Sequence, residues 1–180
     1  LFLGRISKEK GIETIIETYK KLKFNIVIAG EGEFEYVEKL KAECQFYPNI
    51  MFWGFANAED KCNLLSKCDY LIVPSIWYET FGLVAIEAFK FKKPVIASKI
   101  GGLQSLIVDN FNGLLFKPGD HLDLFNKISE IEANEKYKLL GDNALIDYLA
   151  NYTDDINYVN LINIYEEAIL INENEKAKII

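Results

Sequence analysis

The sequence predicts an α/β fold, a Rossmann-like doubly wound parallel sheet of about six strands followed by a helical C-terminal segment. Three observations predict it. Short runs rich in Ile, Val, Leu and Phe recur at residues 1–4, 25–29, 50–54, 69–74, 94–98 and 113–116, each flanked by Gly, Pro, Asn or Asp, as strands buried on both faces are. Single helical stretches separate the early runs, and strand–helix–strand alternation calls for parallel crossovers. From about residue 120 the strand signal gives way to helix, which continues to about residue 171.

Each element has its own local reason. Leu1-Phe2-Leu3-Gly4 is an apolar strand-like run with no initiator Met, read as the start of a fragment whose upstream part is missing. Ile12, Ile15, Ile16, Tyr19 and Leu22 repeat at spacings of three and four, one apolar helix face. A weaker stripe of Phe34, Val37, Leu40 and Lys41 predicts a helix over about 33–46, and Cys62, Leu64 and Leu65 one over about 58–67. A further helix is expected from Gly82, apolar nearly all round through Leu83, Val84, Ile86, Ala88 and Phe89. Asn172 to Ile180 are polar enough to fray, giving one domain over 1–171 and a polar tail over 172–180, with no repeat and no internal linker.

Composition excludes several functions. Twenty-seven acidic against 20 basic side chains give a formal charge of -7, so the chain lacks the broad basic surface that a nucleic-acid backbone requires. With half its residues hydrophobic it is not disordered. The central apolar stretch Tyr70 to Tyr78 is too short to span a bilayer. Cys44, Cys62 and Cys68 are odd in number and form no Cys-x-x-Cys, so three reduced cysteines and a cytoplasmic location are expected. The one histidine, His121, stands at a helix start, where a structural role is expected.

In a doubly wound sheet, ligands bind beyond the carboxyl ends of the strands, so the strand-to-helix turns are where chemistry belongs. The first turn, Gly4 to Gly11, carries Arg5 and Lys10. Arg5 is the sole arginine, and its fork can grip two phosphate oxygens at once; a plain surface residue on a turn is the alternative. Ala29-Gly30-Glu31-Gly32-Glu33 lacks the full Gly-x-Gly-x-x-Gly spacing and carries acids, so it fits a dinucleotide poorly. The richest segment is Pro74 to Phe89. A helix starting near Gly82 aims its first amides at an anion, and Glu87 in its second turn leans back toward the same place. A ribose diol would supply that carboxylate with two donors; a solvent-facing strip or pairing with a lysine is the alternative. Glu79, in the loop, can accept hydrogen bonds from sugar hydroxyls or favour the helix dipole. Gly101-Gly102 either bare their amides to a ligand or serve a tight turn.

Read together, the pieces GRISKEKG, IVIAGEGE, IMFWGF, PSIWYETFGLVAIEAF, PVIASKIGGLQSLI and NGLLFKPGD resemble the C-terminal, donor-binding half of a family-4 retaining GT-B (group 1) glycosyltransferase, from Leu1 to about Ile131. The resemblance implies that Arg5 and Lys10 bind the donor diphosphate and stabilise its charge as the sugar departs, with Glu79 on the transferred sugar. It implies donor contacts from Gly4, from Gly54 and Phe55 beside the base, from Phe81, Gly82 and Leu83 beside the phosphates, and from Glu87 on the ribose. The implied ligand is a UDP- or GDP-linked hexose and the implied acceptor a saccharide or lipid, with no cofactor and no metal, in keeping with the lack of an Asp-x-Asp. The N-terminal acceptor half is absent from this chain on that reading, so the fragment alone should bind donor but barely turn it over. Any peripheral membrane contact would lie in the missing half. Gly101-Gly102-Leu103-Gln104-Ser105 departs from the family's common Gly-Gly-x-Pro-Glu. A non-catalytic nucleotide-sugar-binding module and a GT-B-fold sugar-nucleotide epimerase are the other readings.

Overall fold

A computed structural model describes residues 1–177. Its six strands, β1 (Phe2–Leu3), β2 (Ile26–Ala29), β3 (Ile50–Gly54), β4 (Leu71–Val73), β5 (Val95–Ser98) and β6 (Gly113–Phe116), fall within the six apolar runs of the sequence. They form two parallel three-stranded ladders, β1-β2-β3 and β4-β5-β6. The ladders meet along β1 and β4. There the Leu1 amino group donates to the Tyr70 carbonyl (3.1 Å), and the Ile72 amide donates to the Leu1 carbonyl (2.8 Å). The strands therefore lie in the order β3-β2-β1-β4-β5-β6, and the chain reverses its direction of travel across the sheet between β1 and β4.

Alternation along each strand divides the core between two faces. Phe2, Ile26, Ile28, Ile72, Ile96, Leu114 and Phe116 point to one layer. There they meet α1 (Ile12–Tyr19), α2 (Phe34–Glu43) and α6 (His121–Glu132) through Ile12, Ile16, Leu40, Leu124 and Ile128. Leu3, Ala29, Leu71, Val73, Val95 and Ala97 point the other way. They meet α3 (Ala58–Lys67), α4 (Leu83–Lys90) and the short α5 (Leu103–Leu106) through Leu65, Ala85, Ala88, Phe89 and Leu103. The sixteen-residue α7 (Lys136–Asn151) packs Ala144 into this second layer. Helices on both faces of a parallel sheet make the expected doubly wound architecture.

Two expectations change in detail. Phe34, read as part of an apolar stripe, is exposed at the first position of α2; Val37 one turn on packs only partly against the core, and α2 buries Leu40 alone. The last helix, α8 (Asp154–Ala177), runs past residue 171, where the polar tail was expected to begin; residues 178–180 of that tail lie outside the described residues. Among the described residues no helix is long and apolar enough to cross a membrane.

Phe89 is wholly buried where α4 crosses the sheet. Phe89→Ala should lower the free energy of unfolding by about 3–5 kcal/mol, the scale of a deleted core aromatic plus its cavity. Urea denaturation checks this, and a loss below about 1 kcal/mol would show that α4 is not anchored through this ring.

Candidate functional site

The reversal between β1 and β4 opens a crevice at the carboxyl ends of the strands, and a cavity of about 440 Å³ occupies it. Its wall combines Leu3, Gly4 and Arg5 after β1 with Ala29, Gly30 and Glu31 after β2. Phe55 and Ala56 after β3, Lys61 of α3, and Leu83, Val84 and Glu87 of α4 complete it. The turns are tied to one another by backbone hydrogen bonds. Gly4 donates to Ala29 (3.1 Å), Ile6 to Glu31 (2.7 Å) and Gly30 to Gly54 (2.7 Å). A bulge in β3 skips Trp53, setting Gly54 opposite Ala29 and sending Phe55 over the cavity.

The turn after β1 also touches the loop after β4. The Ile76 amide donates to the Glu9 carbonyl (2.9 Å). Gly11, at φ +67°, lies so close that a Cβ there would fall 2.1 Å from the Pro74 carbonyl oxygen. No side chain fits that approach, which seats Lys10 against the loop. Its ammonium donates to Glu79 Oε1, and Ser75 Oγ donates to the same oxygen (2.6 Å). Burial alone would push the Glu79 carboxyl up, but the Lys10 and Ser75 hydrogen bonds and the Lys10 charge outweigh it and hold it below the usual range. The paired glycines support the same loop from behind. The Gly102 amide donates to the Glu79 carbonyl (2.7 Å), and a Cβ at Gly101 would lie 2.6 Å from that oxygen. Here they serve close packing against Glu79.

Gly82 caps α4 in the left-handed conformation, and the first turn of the helix lines the crevice through Leu83 and Val84. Leu83 and Glu87 lie one turn apart on the cavity wall. Glu87 is not alone in its apolar helix, because Lys61 Nζ donates to its Oε1 (2.8 Å). Arg5 is largely exposed and pairs with Glu9 across one turn (3.0 Å).

Of the residues singled out from sequence, Gly4, Arg5, Phe55, Leu83 and Glu87 line the cavity. Lys10 and Glu79 meet each other beside it, and Gly54 supports the β3 turn. Gly82 forms the helix cap, while Phe81 faces an adjoining hollow between α4, α7 and α8 that shares Leu83 and Glu87 with the cavity. Lys61 and Ser75 were missed. The signal for Lys61 was present: it stands three and four residues before Leu64 and Leu65, on the face of α3 that turns inward. Ser75 left no such trace, since its partner is four residues away in an irregular loop. A larger hollow of about 570 Å³, lined by Lys23, Trp53, Lys67, Asp69 and Glu132 among others, lies toward the amino ends of β2 and β4 and includes none of these site residues.

Comparison with known proteins places this geometry. Residues 1–145 match the family model described as glycosyl transferases group 1. The chain is 31% identical over 169 residues to an uncharacterized glycosyltransferase of Methanocaldococcus jannaschii, covering 93% of this chain and 47% of that one. It superposes on the crystal structure of Anabaena HepE in complex with UDP and glucose with a TM-score of 0.83 at 26% identity, covering 92% of this chain and 47% of the other. The crystal structure of the C-terminal domain of a group 1 family glycosyl transferase from Francisella tularensis matches with a TM-score of 0.77 at 27% identity, over 85% of both chains. The chain thus spans about half the length of the curated relatives it matches.

The Lys10–Glu79 pair carries a pH signature. A carboxyl held low contributes stability above its unfolded-state pKa, and that contribution is lost as pH falls through the depressed folded value. In Lys10→Met, burial acts on Glu79 with only Ser75 to oppose it, so its carboxyl should titrate at higher pH than in the parent. Side-chain carboxyl NMR titration reads this directly. The stability gap between parent and variant should narrow on acidification from neutral pH to about pH 3. A gap that stays constant would remove the ion pair as its source.

Proposed function

The chain belongs to the glycosyl transferases group 1 family, and from that membership we propose that it is the donor-binding domain of a retaining, metal-independent hexosyltransferase. The observation that carries the reading is the cavity at the β1/β4 reversal, which gathers a guanidinium, an exposed aromatic ring, a helix N-terminus and a carboxylate in one crevice. A nucleoside-diphosphate sugar needs each of them. The HepE complex supports a uridine nucleotide as the first ligand to try.

On this reading Glu87 accepts the ribose hydroxyls and Phe55 and Gly54 bound the base. The diphosphate lies before the first amides of α4, at Gly82 and Leu83, where the helix dipole favours an anion. Phe81 flanks that turn, and Gly4 leaves room for the phosphates beside Arg5. As the sugar departs, negative charge grows on the diphosphate. Arg5 and Lys10 offer it fixed positive charge, electrostatic stabilisation of the kind a metal supplies elsewhere. Glu79, already bound to Lys10, offers its remaining lone pairs to the hydroxyls of the transferred sugar. The saccharide or lipid acceptor belongs to an N-terminal half outside this chain. Positioning of two reactants supplies much of a transferase's rate, so the 180-residue chain should bind donor and transfer little.

Calorimetry with UDP, GDP and their hexose conjugates tests the reading. Arg5→Ala should weaken the preferred ligand by about 2–3 kcal/mol, the scale of a charge-assisted hydrogen-bonded pair. Unchanged affinity would remove Arg5 from the phosphate site.

A further inference from the structure

We propose that Lys61 is a positioning residue for nucleoside recognition, holding the Glu87 carboxylate in the orientation that receives the ribose hydroxyls; the inference rests on the donor-site reading above. Lys61 and Glu87 come from different helices, α3 and α4, and both line the cavity at the β1/β4 reversal. Their contact is short, with Nζ 2.8 Å from Oε1.

The lysine is placed firmly. Asn57 and Asp60 form a reciprocal capping box at the start of α3, with bonds of 3.0 and 3.2 Å, and the Lys61 amide closes the first turn on the Asn57 carbonyl (2.9 Å). One turn later Leu65 is buried against the sheet, so the face that carries Lys61 is fixed in rotation about the helix axis.

Two physical effects follow. A glutamate side chain has three rotatable bonds, and a half-exposed one left alone samples several rotamers. Tying Oε1 to Lys61 leaves Oε2 and the second lone pair of Oε1 available to a diol. Side-chain exposures of 38% and 41% keep the pair well screened as it stands, so by itself it adds little stability. A nucleoside laid over Glu87 removes that water. The carboxylate would then be buried beside neutral hydroxyls, and Lys61 supplies the countercharge that makes such burial tolerable. Arg5 and Lys10 are engaged by Glu9 and Glu79 respectively, which leaves Lys61 as the cation in contact with Glu87.

The test measures affinities of the full 180-residue chain for UDP and GDP and for their 2′-deoxy counterparts, in the parent and in Lys61→Met, Lys61→Arg and Glu87→Gln. In the parent, loss of the 2′-hydroxyl should weaken binding by about tenfold; in Lys61→Met that ratio should fall to about twofold, and Lys61→Arg should restore most of it. Glu87→Gln should collapse the ratio as well, with Lys61→Met producing no further change in that background. Using the ratio cancels any general attraction between the ammonium and the diphosphate. A Lys61→Met variant that weakens ribo- and deoxyribonucleotides equally would overturn the inference, leaving Lys61 as a phosphate-side charge while the donor reading stands. A parent chain that binds neither UDP nor GDP would overturn both.

Discussion

Two hydrogen bonds between β1 and β4 set the geometry on which everything else in this molecule depends. Leu1 lies between Tyr70 and Ile72, and through that contact the ladder β3-β2-β1 is continued by β4-β5-β6. The first three strands are laid down in one direction and the last three in the other. Helices after β1 and β4 therefore leave toward opposite faces of the sheet, and the turns that begin them part to form a crevice. Had β4 been added beside β3, Arg5 and Glu87 would lie at separate points along the sheet edge. The cavity wall would then lack either its guanidinium or its carboxylate.

In and around that crevice the cations come already matched. Arg5 faces Glu9, Lys10 faces Glu79 and Lys61 faces Glu87. This pairing reconciles an acidic chain, with its formal charge of -7, with a site proposed for a doubly anionic ligand. Local arrangement, and not average charge, decides what is held, because screening confines each charge to its neighbourhood within about 8–10 Å. The pairs also differ in kind. Arg5–Glu9 is a solvent-exposed contact along one turn, weak and readily exchanged for a phosphate. Lys10–Glu79 is more enclosed, braced by Ser75 and by the backbone of Gly102, and its carboxyl is held low. On the donor-binding reading, the first would open to admit a phosphate and the second would keep its geometry.

How far the sequence disclosed this follows from the range of each interaction. Strands buried on both faces leave continuous apolar runs, so all six were legible, and a helix over about 58–67 was legible from Cys62, Leu64 and Leu65. Gly82 as the start of α4 was legible too, since a glycine before an apolar helix signals its own conformation. Phe34 misled because periodicity records which residues share a face and not how deeply each is buried. The β1–β4 contact joins residues some seventy apart, and no local pattern encodes it. Glu87 was visible as a charge in an apolar helix and a lysine partner was one alternative for it, yet which lysine was not legible, because Lys61 lies 26 residues upstream on another element. What sequence offered was the question that a lone carboxylate poses; the answer required the packing of α3 against α4.

That asymmetry bears on how such a site is built. The backbone in and around the crevice is held by approaches that leave no room for a side chain: Gly30 against the Gly4 carbonyl, Gly11 against the Pro74 carbonyl and Gly101 against the Glu79 carbonyl. They fix where the turns lie to a fraction of an ångström, since interiors packed this closely yield little. The charged side chains sit on that frame in exposed or half-exposed positions, each held by a single countercharge. A rigid backbone with side chains held by exchangeable ion pairs can keep one cavity shape while redirecting its charge. For the dianionic donor proposed above, which would be gripped, cleaved and released, such a division suits each step. On the donor-binding reading proposed above, the frame would preserve alignment through transfer, and the ion pairs would reclaim their partners once the diphosphate leaves.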